Sequence, residues 1–284
     1  MRGALLDSPI HASVAALLQC LPADHFPDCT ELNRLIDHGA DHGTDDGTDD
    51  GTDKSAAVVS GGNVPIQFVD ADTTQVPGAP GYEGLIFRSG WVPTRACHWH
   101  DLFNALAWLA FPRSKRIINA RHIAEIDRLG GRERGRLRDL LSLFDEGGVI
   151  VACADRSLAQ MLLAHQWKQL FCEHRAAVNA HMRCWVFGHA IMEKGVLPYH
   201  GVTGKALIVP VEPAFLEKTN AAQVAALDVV VAARLAQGSV DSLEGDLSPL
   251  PILGIPGWCA DNVDPRYYDD TQQFRPPPSA RRPR

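Results

Sequence analysis

Three groups of residues in this 284-residue chain carry side chains able to move protons or hold an ion. The first is His98-Trp99-His100-Asp101, at the mouth of the apolar run Leu102-Phe103-Asn104-Ala105-Leu106-Ala107-Trp108-Leu109-Ala110-Phe111, in which only Asn104 is polar. The second is the carboxylate pair Asp145-Glu146. The third is Gly188-His189-Ala190-Ile191-Met192-Glu193, where the four-residue spacing stacks His189 and Glu193 on one face of a helix. Two imidazoles and a carboxylate, His100, His189 and Glu193, are the smallest set that holds a catalytic divalent metal while leaving positions open. Asp101, Asn104, Asp145 and Glu146 are then the candidates to orient the ligands or act as base. Without a metal the same groups form a His/carboxylate acid–base set of the hydrolase kind, substrate unspecified. Either version requires His100 within roughly 12 Å of His189 and Glu193, since metal–ligand bonds are only about 2 Å long.

Each group also has a plainer use. Asp101 suits an N-cap, accepting from free backbone N–H groups, and that is its favoured reading. Neighbouring His98 and His100 more often hydrogen-bond within a packed core than ligate. Asp145-Glu146 fits a solvated turn. Together these uses describe a non-enzymatic binding or adaptor module, its polar residues forming a structural hydrogen-bond network.

Between Arg113 and Arg138 nine Lys or Arg face three Asp or Glu, an excess able to meet an acidic or phosphate-bearing ligand. A solvated helix face is the favoured reading, because aromatics do not interleave with the charges; a nucleic-acid partner is not expected. A His/Asn nuclease motif from His100, Asp101, Asn119 and His122 needs a hairpin where this sequence reads as helix. No nucleophile elbow, P-loop or dinucleotide fingerprint is present.

The elements that must position these groups follow from periodicity. Pro112 ends the apolar helix, and a second helix runs from about Arg113 to Leu129, closed by Gly130-Gly131, with Asn119 and His122 facing inward and Arg121 pairing with Glu125. Leu137, Leu140, Leu141 and Phe144 mark a third helix stopping at Asp145-Glu146, before the strand Val149-Ala152. A fourth starts near Ser157, carrying His165 on its apolar face. Cys184-Phe187 is a strand that breaks at Gly188 into a short helix; Ala206-Val211 is a strand, and Ala221-Ala236 a helix. From Pro249 onward the prolines predict an extended segment without regular structure.

The fold class expected is therefore α+β, a mainly helical single domain with few short strands. Residues 1–36 form a docking helical segment with Ser8-Pro9 at a helix start, and 37–54 a disordered Asp/Gly repeat loop. Residues 55–276 form the core domain, and 277–284 a loose tail. The repeat's seven Asp and one Lys supply nearly all of the net charge of −7, so the remainder is close to neutral. Seven scattered Cys with no C-x-x-C pair point to reduced thiols in the cytoplasm, and no apolar run is long enough for a membrane span.

Five separated motifs resemble a bacterial family catalogued only as a domain of unknown function, DUF 3025. They are Trp99-Trp108 with Phe111-Pro112 and Lys115, Phe144-Asp145-Glu146, Gly188-His189-Ala190 with Glu193-Lys194, Leu253-Gly254-Ile255-Pro256-Gly257-Trp258, and Tyr268-Asp269-Asp270. The resemblance spans about residues 64–276, leaves the Asp/Gly repeat outside, does not include His98, and implies no particular activity.

Overall fold

In a computed structural model of the protein, the structure describes residues 2–41, 58–72, 81–131 and 133–277. The chain opens with helices α1 (Arg2–Asp7) and α2 (Ala15–Cys20), joined by the 3-10 turn Pro9–Val14, and then α3 (Cys29–Asp41). Strands β1 (Gln67–Asp70) and β2 (Trp91–Thr94) flank helix α4 (Gly81–Ser89) and pair in parallel, Phe68 opposite Val92. The helices α5 (Trp99–Ala110), α6 (Pro112–Leu129) and α7 (Arg136–Gly147) lead to β3 (Gly148–Cys153). After α8 (Arg156–Leu163) and α9 (Arg175–His181) come β4 (Met182–Val186), α10 (His189–Lys194) and β5 (Thr203–Pro210). Helices α11 (Asn220–Gln237) and α12 (Val240–Asp246) precede β6 (Leu247–Pro251).

The main sheet runs β4-β3-β5-β6, with β3 parallel to β5 and the outer pairs antiparallel. All six residues of β3 are buried, as a strand covered on both faces requires. Its alternation feeds two cores: Val149, Val151 and Cys153 pack with Leu102, Phe103 and Leu106 of α5, whereas Ile150 and Ala152 join Ile118, Phe144 and Val231. Helix α5 therefore lies on one face and α6, α7 and α11 on the other. Burying leucine- or phenylalanine-sized side chains contributes about 1.5–3 kcal/mol each, so the fully buried Phe103, Leu106, Phe144 and Phe187 are major anchors.

The mainly helical α+β expectation holds, with three corrections, and α4 (Gly81–Ser89) comes in addition to the elements expected. Residues 37–41 continue α3 as helical backbone, while 42–57, most of the Asp/Gly repeat, and the tail 278–284 lie outside the described residues. Proline does not prevent strand β6, because β6 sits at the sheet edge, where Pro249 and Pro251 need no N–H for a further neighbour. The N-terminal docking element is not one helix: Pro9 starts a 3-10 turn, and Ser8 makes no side-chain cap. Among the described residues no helix is long and apolar enough to cross a membrane.

Candidate functional site

Helix α10 begins directly after β4, and its position is set by a close approach to the C-terminal end of α7. A Cβ on Gly188 would lie 2.3 Å from the Glu146 carbonyl oxygen, so only glycine lets the two backbones touch. The N–H groups of Phe187 and Gly188 both donate to the Gly148 carbonyl at 2.9 Å, locking the corner. This contact places His189 beside Asp145. The first turn of α5 packs against α10 from the other side and presents His100.

The result is a continuous polar chain. His100 Nδ1 is 2.9 Å from Glu193 Oε2, and His100 Nε2 is 3.1 Å from His189 Nε2. His189 Nδ1 lies 3.7 Å from Asp145 Oδ2, beyond hydrogen-bond length but close enough for charge attraction. Asp145 accepts from Lys115 Nζ at 2.6 and 2.9 Å; the same ammonium donates to Asn104 Oδ1 at 2.9 Å and sits 5.3 Å from the centre of the Trp108 ring. Asn104 Nδ2 donates to the Tyr82 hydroxyl at 2.7 Å. Side-chain exposure is 40 % at Glu193 and 34 % at His100, drops to 7 % at His189 and 4 % at Lys115, and rises again at Tyr82, which is exposed. The chain is thus buried in the middle and open at both ends, His100–Glu193 and Tyr82.

Burial acts differently on each member. It pushes the His189 pKa down to about 4, against the pull of the Asp145 charge, so this imidazole is neutral at pH 7. Burial would raise Asp145, but the charges of Lys115 and His189 and the Lys115 hydrogen bond outweigh it and hold the carboxyl below its usual value. Beyond Lys115, His122 is buried and pushed to about 4, while burial raises Glu83 despite the hydrogen bond from Asn119 Nδ2 at 2.7 Å.

Of the seven residues singled out from the sequence, five meet here: Asn104, Asp145, His100, His189 and Glu193. Two do not. Asp101 is nearly buried, but it does not cap α5, which starts at Trp99; its carboxylate accepts from the Arg95 backbone N–H, Nε and Nη2, all at 2.8 Å. Burial alone would raise Asp101, but this clamp brings its pKa below the usual range. Glu146 is exposed, because neighbouring helix residues point about 100° apart and only Asp145 faces the chain. The three-ligand metal reading also meets a geometric obstacle. Glu193 holds the Nδ1 edge of the His100 ring and His189 the Nε2 edge, so the three donors string along the imidazole and do not enclose one point. Among the described residues no group of three or more His, Cys, Asp or Glu side chains is placed to hold a metal ion.

Sequence reasoning missed Lys115, Tyr82 and Glu83 as members of this polar cluster. A signal for Lys115 existed: Lys115, Asn119 and His122 fall at i, i+4 and i+7, one helix face, and all three are buried. Several basic side chains of 113–138 are taken up by partners within the chain. Arg121 bonds the Leu235 and Gly238 carbonyls at the end of α11; it does not pair with Glu125, which pairs with Arg128 instead. Arg134 pairs with Asp139 and Arg136 with Glu244.

No curated protein and no solved structure matches the chain. The family model described as protein of unknown function, DUF3025, matches residues 66–278, well over half of the sequence and close to the span carrying the five motifs. By that match the chain belongs to the DUF3025 family.

Proposed function

We propose that the protein is an acid–base enzyme of the hydrolase kind, in which His100 and His189 take and return a proton as one unit. Glu193 orients the His100 ring through Nδ1, and His189 is the second imidazole behind it. The observation supporting this is the contiguity of Glu193, His100 and His189 at 2.9 and 3.1 Å, with solvent access at the His100 end. Proton bookkeeping explains why two imidazoles help. With Nδ1–H of His100 donated to Glu193, a neutral His189 must donate through Nε2–H, which leaves its Nδ1 lone pair facing the Asp145 carboxylate. One proton arriving at the free Nδ1 lone pair of His189 removes this mismatch: His189 then points an Nδ1–H toward Asp145 and passes its Nε2 proton to His100, which donates from both nitrogens. The pair accepts a proton as a unit, as a general base activating water must. We place the protein in the cytoplasm, the compartment that seven scattered cysteines without a C-x-x-C pair suggest.

The test is turnover of a panel of ester, thioester, phosphoester and amide substrates by the wild type and His100→Ala. Loss of at least about 100-fold in rate with an unchanged melting midpoint is expected. Equal rates, with stability lower by about 1–3 kcal/mol from an unsatisfied partner, would make the chain a packing network of the adaptor kind.

A further inference from the structure

The residues that grip the site from behind lie outside the family-matched span 66–278. His11, in the turn Pro9–Val14, is fully buried; its Nε2 lies 2.8 Å from the Met192 carbonyl of α10, and its ring stacks on Phe103 of α5 at 5.0 Å and 10°. Met192 precedes Glu193, and Phe103 lies one turn beyond His100. One side chain therefore touches both helices whose separation sets the His100–His189 and His100–Glu193 distances. Ser13 Oγ donates at 2.6 Å to the carbonyl of Val186, the last residue of β4 before the corner that launches His189. Ile10 and Val14 share the core containing Phe103, Ile191 and Met192, and Phe26 packs edge-on against Trp99, the residue before His100. Gly195 leaves the room: a Cβ there would lie 2.6 Å from Ile10 Cγ2 and 3.1 Å from His11 Nε2.

We propose that Pro9–Val14 is part of the site's machinery, and that His11 is a positioning residue holding α5 and α10 at the spacing that joins His100 to His189. This rests on the acid–base reading above and adds a requirement for residues that the family match does not cover. His11 touches none of the reacting groups and acts through the Met192 carbonyl and the Phe103 ring.

The test uses the full chain with 15N-labelled histidine, reading the ring nitrogen shifts of His100 and His189, which report where each proton sits. His11→Phe keeps a ring against Phe103 but has no donor for Met192; His11→Gln keeps a donor. Gly195→Ala pushes on the segment from the opposite side without altering it. The proposal expects His11→Phe and Gly195→Ala to change the His100 and His189 ring shifts well below their melting midpoints, and His11→Gln to restore them. Unchanged ring shifts in both, with only a lowered midpoint, would reduce the segment to a stability element and overturn the proposal. Should His11→Phe fail to fold, Gly195→Ala and Ser13→Ala decide on the same readout. A wild type whose two rings show no shared proton would sink the acid–base reading itself, an outcome distinguishable because it precedes any comparison of variants.

Discussion

His100 Nε2 and His189 Nε2 face each other across 3.1 Å, so one of the two nitrogens must carry a hydrogen and the other must not. With Glu193 on His100 Nδ1, the neutral pair is expected to hold its protons on His100 Nδ1 and His189 Nε2. Ring 15N shifts at pH 7 should show that assignment. Glu193→Gln, whose amide donates or accepts, should release His100 from it. The assignment fails if His100 carries its single proton on Nε2 in the wild type.

Buried Lys115 and half-buried Asp145 form an ion pair at 2.6 Å, and removing one member is not equivalent to removing both. Lys115→Met leaves an unpaired carboxylate in the interior and is expected to cost about 3–5 kcal/mol. The double variant Lys115→Met/Asp145→Leu should recover most of that loss, since neither charge is then stranded. Urea unfolding of the wild type and the two variants measures it, and a double variant no more stable than Lys115→Met would refute the pairing argument.

Stability should fall as pH drops from about 6.5 toward 4. His189 and His122 are held neutral with pKa values near 4, against 6.5 when unfolded. Between those values the unfolded chain binds protons that the native one does not, so the unfolding free energy declines with falling pH. The full contribution is present above 6.5, and at 1.36 kcal/mol per pKa unit each histidine removes up to roughly 3 kcal/mol. Buried His11 is lowered too and adds in the same direction. Melting midpoints from pH 8 to 4 test this, and the slope should be shallower in His122→Gln. A flat midpoint across that range would contradict it.

Helix α6 takes its N-terminal cap from a distant element. Asp228 of α11, buried, accepts from the Arg113 and Ser114 backbone N–H groups at 2.9 Å each. Asp228→Ala should cost about 1–2 kcal/mol, whereas Glu244→Ala, which breaks the exposed pair with Arg136, should cost under about 1 kcal/mol. Denaturant midpoints of the two compare a cap with a surface bridge directly. Equal losses would count against the cap.

What could be read in advance follows the physics of each residue. His189 and Glu193 were legible because helical spacing alone stacks them, and His100 because it sits where a buried apolar helix meets solvent. Lys115 was not, since a lysine one turn into a basic helix reads as surface until its partner Asp145, thirty residues away, is seen. Tyr82 and Glu83 were hidden for another reason: prolines and glycines crowd residues 77–81 just before them, and no periodic pattern marks α4. Asp101 was misassigned because a cap and an arginine clamp use the same carboxylate, and only the path of the chain back through Arg95 decides between them.

The corner at Gly188 offers the sharpest structural test of the site. Its φ of −71° is open to any residue, so a substitution there is limited by space and not by backbone conformation. The methyl of Gly188→Ala would fall 2.3 Å from the Glu146 carbonyl oxygen and 2.6 Å from the Gly147 nitrogen, both backbone atoms that cannot swing aside. Helices α7 and α10 must therefore part, moving His189 from Asp145. Overpacking of this kind costs about 1–3 kcal/mol. The variant should also lose the His189 ring shifts that mark its place beside Asp145. Gly147→Ala, one residue from the same corner with nothing within 4 Å of its new Cβ, is the matched control and should leave those shifts in place. If both variants behaved alike, the close approach of α7 to α10 would not be what positions His189.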